Sequence, residues 1–413
     1  MMTKQDISIL SLISVAACFS FFFSIFLTDI NIYFTTIFII VATILMSFTI
    51  SNETKELLKN KLIKNFNSKE AYFVYLIFGT HLLWGIFQGD YFFEVHKRMH
   101  WLNTQIIFEI PLFYFTTKFF ITIIKELQMN SHTLLRLITS LISVSYAIDW
   151  VYSFYKAWDS PEYRWNGSSG NPNIWAVQSS LVLILILYSY LKTYHRPNFF
   201  SANKISPIYY SLTGIGILIS LIGLIKAFSL ANFLALIAFM IALCLYFLFK
   251  AKSKLFIQIS CIILSLAMII FIKNTYLIDI ASIKLPLAKK FIPRIKLWSN
   301  IDELLASFSW FQYIFGLGHL KYKAWLDSLG RDDFYHAHNF FYHFFIQFGL
   351  LGFLSSTWLY LRMLFSKHLI YYLLGVYILI VSLFDISLFF DEVQILFFIL
   401  IAFYESHENK SEL

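Results

Sequence analysis

The chain has 413 residues, 59% of them hydrophobic and 20% aromatic, and a mean hydropathy of +0.68. Soluble domains hold about 45–50% apolar residues, and long uncharged apolar runs mark membrane spans, so the composition excludes a water-soluble globular protein. The formal charge of +8 comes largely from lysines grouped in short segments between apolar runs, the pattern of an inner membrane face, and does not call for nucleic acid.

In chain order, runs long enough to cross a bilayer, about 20 residues each, fall near 7–27, 31–50, 71–88, 104–124, 137–156, 174–191, 207–226, 229–249, 255–272, 340–362, 369–387 and 391–405. The expected fold is an all-α polytopic membrane protein of about twelve transmembrane helices. Its parts are spans one to nine (1–272), a large outward loop with short amphipathic helices (273–339), and spans ten to twelve with an inward C-terminus (340–413). The first run follows "MMTKQ" and leads straight into a second, as an uncleaved span does. Cys18, Cys244 and Cys261 lie inside apolar runs and suggest neither a disulfide framework nor a thiolate metal site.

The connecting segments give the orientation. "SNETKELLKNKLIKNFNSKE" carries five lysines, "KTYHRPNFFSANKIS" is basic without an acid, and "KAKSK" and "RMLFSKH" are basic again. Each follows an even-numbered span, so a cytoplasmic N-terminus places all four inside. The turn-rich loop 156–173 and the long loop between spans nine and ten then face outward. A structured outward loop of that length marks function. Within it, "RIKLWSNIDELLASF" spaces Ile295, Leu297, Trp298, Ile301, Leu304, Leu305 and Phe308 close to a helical repeat.

Outward loops ordinarily hold few cations, so those present ask for a cause. Lys97, Arg98, Arg164, Lys226, Arg294, Lys296, Lys321, Lys323 and Arg331 all fall on that side. Guanidinium and ammonium groups gathered at an interface suit a phosphate or pyrophosphate. The plainer alternative is that single lysines snorkel to headgroups or pair with nearby carboxylates.

At the mouth of span ten, "DDFYHAHN" sets His336 and His338 beside Asn339, with His343 following inside the span. His338 has three readings: a general base, since imidazole titrates near working pH; a structural interfacial ring; or a metal ligand with Asp332, Asp333 and His336. A separation of two residues puts His336 and His338 on different sides of a helix, so one task for both is not expected. Gly316 and Gly318 in "FGLG" read as a turn, without a nucleotide-loop fingerprint. Gly349 and Gly352 read as small residues that let helices pack closely.

The ordered set "RWNG" (from Arg164), "RIKLW", "FGLG" and "HAHN…FGLLG", with the twelve-span pattern, resembles the O-antigen ligase/polymerase superfamily, and most of all its O-antigen ligases. The resemblance covers about Arg164 to Gly352. It implies glycosyl transfer on the periplasmic face of a bacterial inner membrane, from a glycan on undecaprenyl pyrophosphate to a hydroxyl of lipid A–core oligosaccharide. No metal, nucleoside triphosphate or other cofactor is implied, and the large loop is then periplasmic. Carried onto this chain, His338 is the catalytic histidine. Arg294 and Arg164 match the family's loop and turn arginines; Lys226 and Arg98, outward-placed cations, join them in taking the donor pyrophosphate, and His336, Asn339 and Lys321 support them. Lys226 stands where the family usually has an arginine, which weakens any bidentate grip there. An O-antigen polymerase or an O-oligosaccharyltransferase is the nearest alternative. A lipid-linked glycan flippase is the alternative of another class, and would gather charge at mid-bilayer. Glu109, Lys118, Asp149 and Asp385 are the few candidates for such a pathway within or at the ends of spans.

Overall fold

A computed structural model describes residues 51–67, 131–158, 171–194, 207–227, 229–248, 292–330, 337–366 and 369–385, with scattered positions between 71 and 118 and between 393 and 401. Among the described residues the chain is helical and holds no strand. Expected spans one, two and nine lie outside them, as do most of three, four and twelve. The chain divides into two compact units, one of Met1–Ala71, Ile110–Ser229 and Phe390–Leu413, the other of Tyr72–Glu109 and Leu230–Phe389.

In the first unit, the lysine-rich segment expected as a loop forms a helix, α1 (Asn52–Phe66). Glu53 sits in its first turn, where a negative charge meets the positive end of the helix dipole. Three long helices follow: α2 (Ser131–Trp158), α3 (Pro172–Tyr194) and α4 (Pro207–Ala227). Their apolar stretches Leu135–Tyr155, Pro172–Tyr190 and Pro207–Ala227 are long enough to cross a membrane. α3 begins as its sequence dictates. Asn171 caps it by accepting from the Asn173 amide at 2.9 Å, and Pro172 fills the first position, where no amide is needed.

Apolar side chains gain little by leaving lipid for one another, so membrane helices hold together by close approach and by hydrogen bonds. Both occur here. Trp175 of α3 donates its indole N–H to buried Asp149 of α2 at 3.2 Å, and Tyr146 of α2 bonds Ser179 of α3. α4 lies against both through Gly216 and Gly223. A Cβ at Gly223 would come within 2.6 Å of Ser179 Oγ, and one at Gly216 within 2.6 Å of Ser143 Oγ.

The second unit holds α5 (Leu230–Leu248), the loop helices α6 (Ile292–Ala306), α7 (Trp310–Phe315) and α8 (His319–Ser328), and then α9 (Phe340–Leu364) and α10 (Leu369–Phe384). The amphipathic segment read from the sequence is α6, and it buries Leu297, Trp298 and Ile301. α10 packs against both α5 and α9, with Tyr377 donating to Asn232 and Tyr360 bonding Ser382. At Gly375 a Cβ would stand 2.7 Å from Met363 Cβ, so this crossing too depends on a missing side chain.

α9 differs from the continuous span expected. It breaks at Gly349, whose φ of 61° and ψ of −151° belong to a region only glycine enters freely. Such a break interrupts the helical ladder and leaves carbonyls in need of donors. The Leu317 amide reaches Ile346 O at 2.6 Å and the Gly318 amide reaches Gln347 O at 3.2 Å. The "FGLG" turn thus docks backbone-to-backbone into the break. Gly316, at φ 82°, allows the approach, because a Cβ there would lie 2.3 Å from Gln347 O.

Candidate active site at the mouth of α9

Asn339 starts the site. In extended conformation it caps α9, its Oδ1 accepting from the Tyr342 amide at 3.0 Å. Its Nδ2 donates to Leu383 O at 2.9 Å, in the last turn of α10. Helix starts have spare N–H groups and helix ends have spare carbonyls. One buried amide therefore meets a need of each helix and joins the two.

His338 precedes this cap with φ +48°, the one positive value on a non-glycine among the described residues. The left-handed region costs a side-chain-bearing residue about 1–3 kcal/mol and persists where neighbours over-determine it. The neighbours do so here. Ala337 is fully buried, and its carbonyl accepts the Trp298 indole N–H at 2.9 Å. Asn339, on the other side, is tied to α10. His338 is half-buried between two fixed residues.

Trp298 belongs to "RIKLW", and α6 meets the mouth of α9 a second time one turn later, where the Tyr342 hydroxyl donates to Asp302 Oδ1 at 2.9 Å. Arg294, Trp298 and Asp302 recur every four residues and share one helix face. Arg294, half-buried, is one turn before Trp298, about 6 Å along the axis of α6. Lys296 is exposed on another face.

The cations of α8 separate by task. Lys323 is buried and bonded to Asp327 one turn on, so it serves the helix, while Lys321 is exposed. Between them Tyr322 is buried against Trp325 and edge-on to His343 of α9, ring centres 6.2 Å apart. Burial drives the Tyr322 phenol above its ordinary pKa, so it stays protonated at any working pH. The imidazoles at 338 and 343 therefore occupy different surroundings, one in a half-open turn and one in an aromatic core.

Lys226 is exposed in the last turn of α4, in the first unit, where a cation suits the negative end of the helix dipole. Arg98, Arg164 and His336 lie outside the described residues, as do Asp332 and Asp333 of the possible metal set. Among the described residues, no group of three or more His, Cys, Asp or Glu side chains is placed to hold a metal ion.

The structure thus joins His338, Asn339 and the Arg294 face of α6. Two contributors were not singled out from sequence as site residues, Trp298 and the Tyr342–Asp302 pair. Trp298 had a signal, as the last letter of "RIKLW", but its spacing equally suits plain core. No family model matches the chain, and no curated protein matches it.

Proposed function

We propose that this protein is an inverting, metal-independent glycosyltransferase of the O-antigen ligase/polymerase superfamily. It moves a glycan from undecaprenyl pyrophosphate to a hydroxyl of lipid A–core oligosaccharide in the bacterial inner membrane, as an O-antigen ligase does. The chain crosses that membrane about twelve times, with 273–339 and the mouth of α9 on the periplasmic side.

The observation that carries this reading is the fixed turn at His338. A backbone held in a costly conformation from both sides, with an imidazole on it and an arginine-bearing face beside it, is how strain is retained where chemistry needs a preset group. In the reaction, His338 accepts the proton of the acceptor hydroxyl as that oxygen attacks the anomeric carbon from the face opposite the leaving group. The bond from the anomeric carbon to the pyrophosphate oxygen breaks, and the diphosphate leaves with the electron pair. Charge builds on the sugar as an oxocarbenium-like centre and on the departing phosphate. Arg294 and Arg98 stabilise the phosphate, work for which preset cations are well suited. Lys321 and His336 support the donor's charged end. The free energy is stored in the pyrophosphate linkage, so no cofactor is needed.

The test is the lipopolysaccharide of a strain lacking the gene. Core without polymer, together with accumulating lipid-linked polymer, is the outcome expected of a ligase. A single repeat unit on core would make the enzyme a polymerase, and loss of lipid-linked glycan from the periplasmic leaflet would make it a flippase.

A further inference from the structure

The loop helix α7 and the turn after it have an unusual surface. No Asp, Glu, Lys or Arg occurs between Glu303 and Lys321. Within that stretch Trp310 is 73% exposed, with Phe311 and Tyr313 also exposed, and the turn made by Ser309 is closed by its own capping box with Gln312. A water-facing loop that shows three large rings and no charge is poorly matched to solvent.

Its position explains the mismatch. Counting about 20 residues back from Arg362, at the inner end of α9, puts the other bilayer boundary near Tyr342. Ile346 to Gly349 then lie about 6–10 Å inside the hydrocarbon, at 1.5 Å per residue. This is where the 315–318 turn docks, through Leu317 N to Ile346 O and Gly318 N to Gln347 O, with the Tyr313 ring against Phe345. Irregular backbone at membrane depth is tolerated when its polar groups are met by protein, and these two amides and two carbonyls meet each other. Beyond the break, Leu350, Leu354, Trp358 and Leu361 are exposed along α9, at the spacing of one helix face.

We propose that residues 307–318 form a re-entrant segment, which enters the leaflet where α9 begins and presents Trp310, Phe311 and Tyr313 to lipid acyl chains. This rests on reading α9 as a span but not on the reaction. The segment is a membrane-embedded wall beside the mouth of α9, while α6 and α8, which carry the charges, stay at the surface.

The experiment uses the full-length protein in phosphatidylcholine liposomes, with Cys18, Cys244 and Cys261 replaced by alanine. Single cysteines at Phe311, Leu354 or Glu303 carry a fluorophore, which is quenched either by nitroxide on lipid acyl chains or by aqueous iodide. Phe311→Cys and Leu354→Cys should be quenched several-fold more by the lipid nitroxide, and Glu303→Cys more by iodide. Quenching of Leu354→Cys by lipid with Phe311→Cys open to iodide would overturn the re-entrant segment alone. Iodide quenching at both would remove the span as well. Transfer activity of the same variants reports on the proposed reaction separately. Photolabelling of the cysteine-free protein by a diazirine-bearing lipid tail gives a check without new cysteines: adducts are expected within 310–313, and adducts confined to α9 would also overturn the proposal.

Discussion

At the scale of single residues, the site is built around one strained turn, at His338. His338→Gly relieves the positive φ and should raise thermal stability slightly while removing transfer, a pairing that separates chemistry from folding. Unchanged transfer in that variant would remove the imidazole from the reaction. Asn339→Ala loses a helix cap, worth about 1 kcal/mol, and also the bond to Leu383 O, so its melting temperature should fall; Asn339→Asp keeps the cap but sets a carboxylate oxygen against the Leu383 carbonyl, so it should not restore the stability of the unaltered protein. Trp298→Phe retains a buried ring but not the donor to Ala337 O. A hydrogen bond of this kind contributes about 1 kcal/mol, so a large activity loss with a small stability loss is expected. Comparable activity to wild type would make Trp298 ordinary core. For Arg294, lysine should rescue activity only in part, because it offers a point charge where guanidinium offers a planar fork; steady-state rates of Arg294→Lys and Arg294→Ala test this.

At the scale of elements, the break in α9 and the turn that fills it form one feature. Gly316→Ala and Gly349→Ala each drive a Cβ within 2.4 Å of backbone across the junction. Neither backbone can yield without undoing the amide–carbonyl pairs, so each should lower stability by about 2 kcal/mol or more. Gly330→Ala is the control: its φ is also positive, but open space surrounds it, so only the backbone cost of about 1 kcal/mol is expected. Thermal unfolding in detergent ranks the three. This junction also shows what sequence withholds. "FGLG" is recognisable as a turn, and Gly349 as a small residue in a span. That the two glycine sites are halves of one contact depends on a meeting more than thirty residues apart in the chain, which no local periodicity encodes. Helix α6, by contrast, was readable in its core, because burial of Leu297, Trp298 and Ile301 follows the repeat of its own apolar positions, although the helix ends at Ala306, before Phe308.

At the scale of the whole molecule, hydropathy located α2, α3, α4, α5, α9 and α10 to within a few residues at most ends, since a long apolar run in lipid can satisfy its backbone only as a helix. It failed for α1, whose charge hid its helicity. Sequence brought Arg294, His338 and Asn339 to attention through their motifs. It could not say that α6 is fastened to the mouth of α9, because the fasteners, Trp298 and Tyr342, are aromatic residues in a chain that is one-fifth aromatic. The proposed reaction also predicts persistence of activity in excess chelator; loss restored by a divalent ion would return the "DDFYHAH" segment to the role of metal ligand. The most direct measurement is the rate at which purified His338→Ala transfers glycan from undecaprenyl pyrophosphate to lipid A–core in liposomes. A fall of at least about a hundredfold, with the melting temperature unchanged, is the expected result for loss of a general base. Transfer at the rate of the unaltered protein would contradict it.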